Sequence, residues 1–170
     1  MKNYRYSKEL ADMVKNFLEE EGWHYSFDEN RGIFDMGLKV KCKLRAIRYL
    51  IDVREEEILV YGLCPVSAES SDTEMMAQTA EFICRANYGL INGGFELDFR
   101  DGEIRYRCYI DCEGGLPAPQ AVENSVYCAA AMYERYADGI ADIIFGGSSA
   151  KAAIDMCEKS EVEEIGSILS

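Results

Sequence analysis

Residues 23–63, WHYSFDENRGIFDMGLKVKCKLRAIRYLIDVREEEILVYGL, decide the fold. Apolar residues recur there at every second position, the period of a strand whose side chains alternate between two faces. A four-residue turn at Glu29-Asn30-Arg31-Gly32 sets Phe27 against Phe34, Tyr25 against Met36 and Trp23 against Leu38, with Ser26 against Asp35 on the other side. A tight turn at Cys42-Lys43 then sets Leu38 against Ile47, Met36 against Tyr49 and Phe34 against Ile51. A third turn at Glu55-Glu56 sets Val53 against Ile58 and Ile51 against Val60. One apolar face survives three independent choices of register, and a slip of one residue in any of them would destroy it. The segment reads as a four-stranded antiparallel meander.

Helical spacing flanks the meander. In residues 7–21, Ser7 is the N-cap, and Leu10, Met13, Val14, Phe17 and Leu18 form one helix face that Gly22 ends. Residues 65–73, PVSAESSDT, are a loop, with Ser71 or Asp72 capping a second helix. That helix, over 73–90, has Met76, Thr79, Ala80, Ile83, Ala86, Asn87 and Leu90 on one side. After a hairpin and the loop GGLPAPQ (114–120), a long helix begins near Pro119. It carries Val122, Val126, Ala129, Tyr133, Tyr136, Ile140, Ile143 and Ile144, has Asp138-Gly139 as a place to bend, and stops at Phe145-Gly146-Gly147. A short helix is expected at 149–158 and a frayed tail at 159–170, so residues 1–158 form a single domain. The order α-β-β-β-β-α-β-β-α predicts an α+β two-layer sandwich: an antiparallel sheet of about six strands with helices on one face.

The stretch NYGLINGGFELDF (87–99) has the glycine density of a phosphate-binding loop. Such loops follow a strand and open a helix, whose N-terminal N–H groups hold the anion. Here a helix leads in and a strand leads out, and no lysine lies between Lys43 and Lys151. The glycines instead end a helix and turn the chain into a strand. Asp101-Gly102 signals a two-residue hairpin turn. Phe99 then opposes Ile104, Leu97 opposes Tyr106 and Phe95 opposes Cys108, with Asp98–Arg105, Glu96–Arg107 and Arg100–Glu103 as opposite-charge pairs on the other face.

Composition excludes several classes of function. With 48% hydrophobic and 29% charged residues over 170 positions, the chain is a globular protein. No apolar run approaches the roughly 18 residues that span a bilayer. MKNYRYSKELADMVK has no uninterrupted apolar stretch, so no secretory signal is expected. A net charge of -13 opposes binding to nucleic acid or to an anionic membrane. Seven cysteines without a CxxC pair read as reduced core thiols of a cytoplasmic protein. Cys108 and Cys112, four positions apart on one strand, lie roughly 13 Å apart, too far to share a zinc ion. No metal or cofactor is expected. The single histidine, His24, faces away from the core, and Glu19–Glu21, Glu55–Glu57 and Glu161–Glu164 read as solvated charge runs rather than a cation site. Asp111 and Glu113 have no visible nucleophile to serve as general acid and base.

The pattern Asn87, Leu90, Gly93-x-Phe95-Glu96-Leu97-Asp98, then Asp101-Gly102-Glu103-Ile104-Arg105 resembles the central signature of the YbjN-like bacterial proteins. Ile143-Ile144-x-Gly146 is similar to the family's end of the last long helix, so the resemblance covers roughly residues 7–147. It implies a fold similar to that of type III secretion chaperones and a non-enzymatic, often dimeric protein, associated with regulation or with binding other polypeptides. It supplies no catalytic residues.

One feature of the meander goes beyond the core. Leu50, Leu59, Tyr61 and Leu63 point away from the core row, near Tyr109, on a face that should be polar if helices cover only the other. Either another part of the chain, such as a C-terminal helix with Ile154 and Met156, covers them, or they are an interface. These four are the candidate protein-binding residues, for a polypeptide partner or a second copy of the chain. The expected function is a cytoplasmic, non-catalytic protein-binding or regulatory protein acting in the manner of a secretion chaperone. The alternative is a small-molecule sensor or enzyme with a site between helices and sheet.

Overall fold

The computed structural model describes residues 5–168, with side chains to residue 159. The elements are α1 (Lys8–Glu20), β1 (Ser26–Asp28), β2 (Ile33–Lys39), β3 (Ala46–Val53), β4 (Glu57–Leu63), α2 (Thr73–Asn87), β5 (Gly94–Leu97), β6 (Ile104–Asp111), α3 (Pro119–Gly146) and α4 (Ala150–Ile168). The six strands form one antiparallel sheet in the order β1-β2-β3-β4-β6-β5. The expected α+β two-layer architecture is therefore present. The expected helix at 149–158 is the first part of α4, which runs on to Ile168. The side chains of the tail lie largely outside the described residues.

The meander has the registers that its pattern dictates except at its start, where β1 spans only Ser26–Asp28 and the expected Tyr25–Met36 and Trp23–Leu38 pairs lie outside the ladder. Phe27 opposes Phe34, Leu38 opposes Ile47, Met36 opposes Tyr49, Ile51 opposes Val60 and Val53 opposes Ile58. This row, continued by Phe95, Ile104, Tyr106 and Cys108, is buried beneath α3 and its neighbouring helices. Local chemistry sets the helix starts. Ser7 Oγ accepts from Leu10 N at 3.3 Å, and Asp72 Oδ1 accepts from Glu74 N and Met75 N at 3.1 and 2.9 Å. Pro119 opens α3, and Gly147 ends it at φ 64°.

The β5–β6 hairpin departs from its expected register. Leu97 opposes Ile104 and Phe95 opposes Tyr106, a shift of two positions. An even shift keeps every side chain on its face, so the apolar pattern alone could not distinguish the two pairings. The loop spans 98–103 because Asp98 closes it locally: its carboxylate accepts from Arg100 N at 2.9 Å, and its carbonyl accepts from Gly102 N at 2.8 Å. Gly102, at φ 75°, then offers its carbonyl to Ala68 N at 3.0 Å, tying the loop to the β4–α2 connection. Phe99 is left 65% exposed. The ion pairs change accordingly. Glu96 binds both Arg105 (2.7 Å) and Arg107 (2.6 Å), while Asp98 pairs with Arg100 instead of Arg105.

Asp138-Gly139 is not a bend, since α3 is continuous through it. Gly139 is a packing site where three helices meet. A Cβ there would lie 2.6 and 2.7 Å from ring carbons of Phe82 on α2 and 2.9 Å from Cys157 Sγ on α4. Gly139→Ala gains about 1 kcal/mol of helix propensity, but overpacking a tight contact costs typically about 1–3 kcal/mol. The expected outcome is a net loss of stability, read as a lower urea midpoint. A higher midpoint would show that the helices separate without penalty.

Candidate functional site

Among the described residues, the helices pack on one side of the sheet. α3 contacts β4 and β6, α2 contacts β5, and α4 packs on α3 and α2 rather than on the second sheet face. Ile154, expected as a cover for that face, is buried in the helical layer. Along β6, buried Ile104, Tyr106, Cys108 and Ile110 alternate with Arg105, Arg107, Tyr109 and Asp111, and the last three are exposed.

The register brings the four candidate residues together on this second face. Leu50 lies directly across from Tyr61, Leu59 lies between Asp52 and Tyr109, and Leu63 lies between Arg48 and Arg105. Their exposures differ. Leu59 is 4% exposed, Leu50, Tyr61 and Leu63 are half-buried, and Tyr109 is 51% exposed. Arg105 stacks over the Tyr61 ring at 4.8 Å from its centroid while holding Glu96, so the aromatic is partly roofed by a charged group. Arg48 pairs with Asp35, and that guanidinium holds the Asp35 carboxyl below the usual carboxylate range. Arg54 binds Asp52 at 3.1 Å and Glu57 at 2.6 Å. The surface is an apolar strip, Leu50–Tyr61–Leu59–Tyr109, framed by paired charges. At one end it runs into an open cleft of about 620 Å³ that Arg5, Arg31, Arg54, Tyr109, Asp111 and Glu113 help to line.

The other candidate residues do not converge. His24, Asp111 and Glu113 are all exposed, and the Asp111 carboxylate accepts from Glu113 N at 3.0 Å in a local turn. Among the described residues, no three His, Cys, Asp or Glu side chains are grouped to hold a metal ion. No helix among them is long and apolar enough to cross a membrane. The space between helices and sheet is filled by fully buried Tyr49, Tyr106, Tyr133 and Phe82, and the larger clefts open on the surface.

The glycine stretch has a structural role that its spacing did not reveal. The Asn87 side chain accepts from Phe95 N at 2.8 Å and donates to Phe95 O at 2.9 Å. It thus takes the place of a neighbouring strand on the edge of β5, closing the edge to a further strand at that point. Gly89 and Gly93, at φ 85° and 80°, fold the chain back so that these groups meet. Tyr88 (93% exposed) and Ile91 (102%) stand out from this loop, off any helical or strand periodicity that would have marked them.

The sequence pattern of a family described as "YbjN: Putative bacterial sensory transduction regulator" matches residues 10–142. The chain belongs to the YbjN family. The crystal structure of YbjN from E. coli has the same fold, with a TM-score of 0.53 and 13% identity over 73% of this chain and 85% of that one. An uncharacterized protein from Methanothermobacter thermautotrophicus matches with a TM-score of 0.50 and 19% identity over 78% of this chain and 97% of that one. The HopA1–SchA chaperone–effector complex matches with a TM-score of 0.45 and 14% identity over 76% of this chain and 95% of that one. No curated protein matches in sequence.

Within the signature shared with YbjN proteins, Asn87 has a direct physical test. Asn87→Leu removes two hydrogen bonds and leaves the Phe95 amide and carbonyl without partners. A loss of about 1–3 kcal/mol is expected, measured by chemical denaturation. Unchanged stability would mean that water serves the edge equally well.

Proposed function

We propose that this YbjN-family chain is a non-catalytic, cytoplasmic binding protein that holds a polypeptide, or a second copy of itself, on the open face of its sheet. The second face carries this reading: an apolar strip of Leu50, Leu59, Tyr61, Leu63 and Tyr109 on a sheet whose helical packing, among the described residues, lies on the other side. A sheet face exposed to water is normally polar, and a contiguous apolar strip with a polar rim is the composition of a protein interface. The edge at β5 supports the same choice, because the Asn87 amide occupies the position where an added strand would bond. Tyr61 and Tyr109 offer aromatic contact area, Leu50 and Leu63 flank them, and Leu59 supports the strip from below. The paired charges around the strip set orientation rather than affinity. The net charge of -13 favours a basic partner over an acidic one.

Tyr61→Asp and Tyr109→Asp test this reading. Both positions retain solvent contact, so each variant is expected to keep the circular dichroism spectrum and unfold within a few degrees of the parent. Dimerisation by light scattering, or retention of a co-purifying polypeptide, is expected to be lost. Unchanged mass and unchanged retention in both variants would contradict the proposal.

A further inference from the structure

Beyond the binding face, the most unusual chemistry lies where β6, α3 and the glycine loop meet. Three donors converge there on one backbone carbonyl, that of Asn92. Tyr106 Oη lies at 2.6 Å, Cys128 Sγ at 3.3 Å and Cys108 Sγ at 3.9 Å. A carbonyl oxygen has two lone pairs, so three donors cannot all be well served. The side chains also lie close to one another: both thiols reach the same carbonyl, and Tyr106 Oη lies 3.7 Å from Cys128 Sγ.

The two cysteines are unequal. Cys108 is fully buried in the sheet, whereas Cys128, on α3, keeps partial solvent contact. When Cys128 ionises, the Cys108 S–H and the Tyr106 O–H can turn from the Asn92 carbonyl to its thiolate, which raises the acidity of Cys128 and pushes the Cys108 thiol up. The pair therefore has a partly accessible, acidic thiol and a buried thiol on the same carbonyl, which are the two roles of an oxidation-sensing pair: an attacking and a resolving sulfur.

We infer that Cys128 and Cys108 form a peroxide-reactive thiol pair that closes to a disulfide, linking α3 to the sheet. The Cys128 thiolate attacks one oxygen of a hydroperoxide such as hydrogen peroxide. The O–O bond breaks and the departing hydroxide takes up the released proton as water, leaving Cys128 as a sulfenic acid. The Cys108 sulfur then attacks the Cys128 sulfur: an S–S bond forms, the S–O bond breaks, and a second water leaves with the Cys108 proton. Two electrons pass from the thiol pair to the peroxide, which becomes two waters. Asn92 connects this site to its surroundings, because closing the disulfide removes two of the three donors from its carbonyl and leaves it to Tyr106.

The test uses the reduced full-length protein and hydrogen peroxide, followed by alkylation of free thiols and mass spectrometry. Cleavage after Glu113 and Glu123 separates the two cysteines, so a disulfide appears as a two-chain species joining them. The expected result is that species, reversed by dithiothreitol, with Cys108 and Cys128 losing alkylation at the same rate. In Cys108→Ser the link is expected to vanish, while dimedone, which labels sulfenic acids, marks Cys128 several-fold more than in the parent. Cys128 remaining alkylatable while exposed Cys84 is oxidised would overturn the inference. So would a link to Cys128 that persists in Cys108→Ser, which would assign the partner to Cys112. If Cys108→Ser does not fold, the matched loss of the two thiols in the parent protein decides.

Discussion

Two buried phenol hydroxyls tie the helical layer to the sheet, a third ties the sheet to the loop before β5, and the rest of the architecture follows from them. Tyr49 Oη on β3 donates to the Val126 carbonyl of α3 at 2.7 Å, and Tyr133 Oη on α3 donates back to the Gly62 carbonyl of β4 at 2.9 Å. Tyr106 Oη on β6 donates to Asn92 at 2.6 Å. A hydroxyl withdrawn from water without a partner costs roughly 1–3 kcal/mol, so the Tyr49 and Tyr133 bonds restrict where α3 can sit on the sheet, while the Tyr106 bond holds the loop before β5. Burial of the rings supplies the attraction, and the hydroxyls supply the position. With α3 fixed along β4 and β6, α2 and α4 pack against its flanks, and the apolar row from Phe34 to Ile110 is used up on that side. The second face then stays open.

The meander was legible because one face is buried and the other is not. A one-residue error would have turned Phe34, Met36, Tyr49 and Ile51 toward solvent, so the pattern had one solution. Where that penalty vanished, the reading failed. The β5–β6 hairpin shifted by two positions, an error that costs no burial and is decided by Asp98, Gly102 and the distant Ala68. The β2–β3 loop likewise depends on partners far along the chain: Lys41 N bonds to Glu134 Oε1 and Lys43 N to Asp138 Oδ1, both at 3.0 Å. Gly139 looked like a helix breaker because sequence spacing shows its missing side chain but not the Phe82 ring that fills the space.

The same division applies to function. Alternation placed Leu50, Leu59, Tyr61 and Leu63 on one face, and the register unites them there. Alternation carries no information on depth, so it could not distinguish Leu59, sunk between its neighbours, from Tyr109, which stands out. Asn87 entered only as part of a resemblance to YbjN proteins, since an amide that mimics a strand has no periodic signature. The thiol pair was out of reach for a related reason. Cys108 read as a strand thiol beside Cys112, and only the docking of α3 brings Cys128 to the same Asn92 carbonyl.

On the proposed function, one face of the sheet serves the helices and the other a partner. Oxidative footprinting of the tyrosines, in the isolated chain and in an assembly purified from native lysate, tests it most directly. In the isolated chain Tyr109 should be labelled, and buried Tyr49, Tyr106 and Tyr133 should be silent. In the assembly Tyr109 and Tyr61 should become protected, while Tyr127, which lies on the helical side and is 39% exposed, keeps its labelling. Protection of Tyr127 with Tyr109 unchanged would place the partner on the helices and contradict the account.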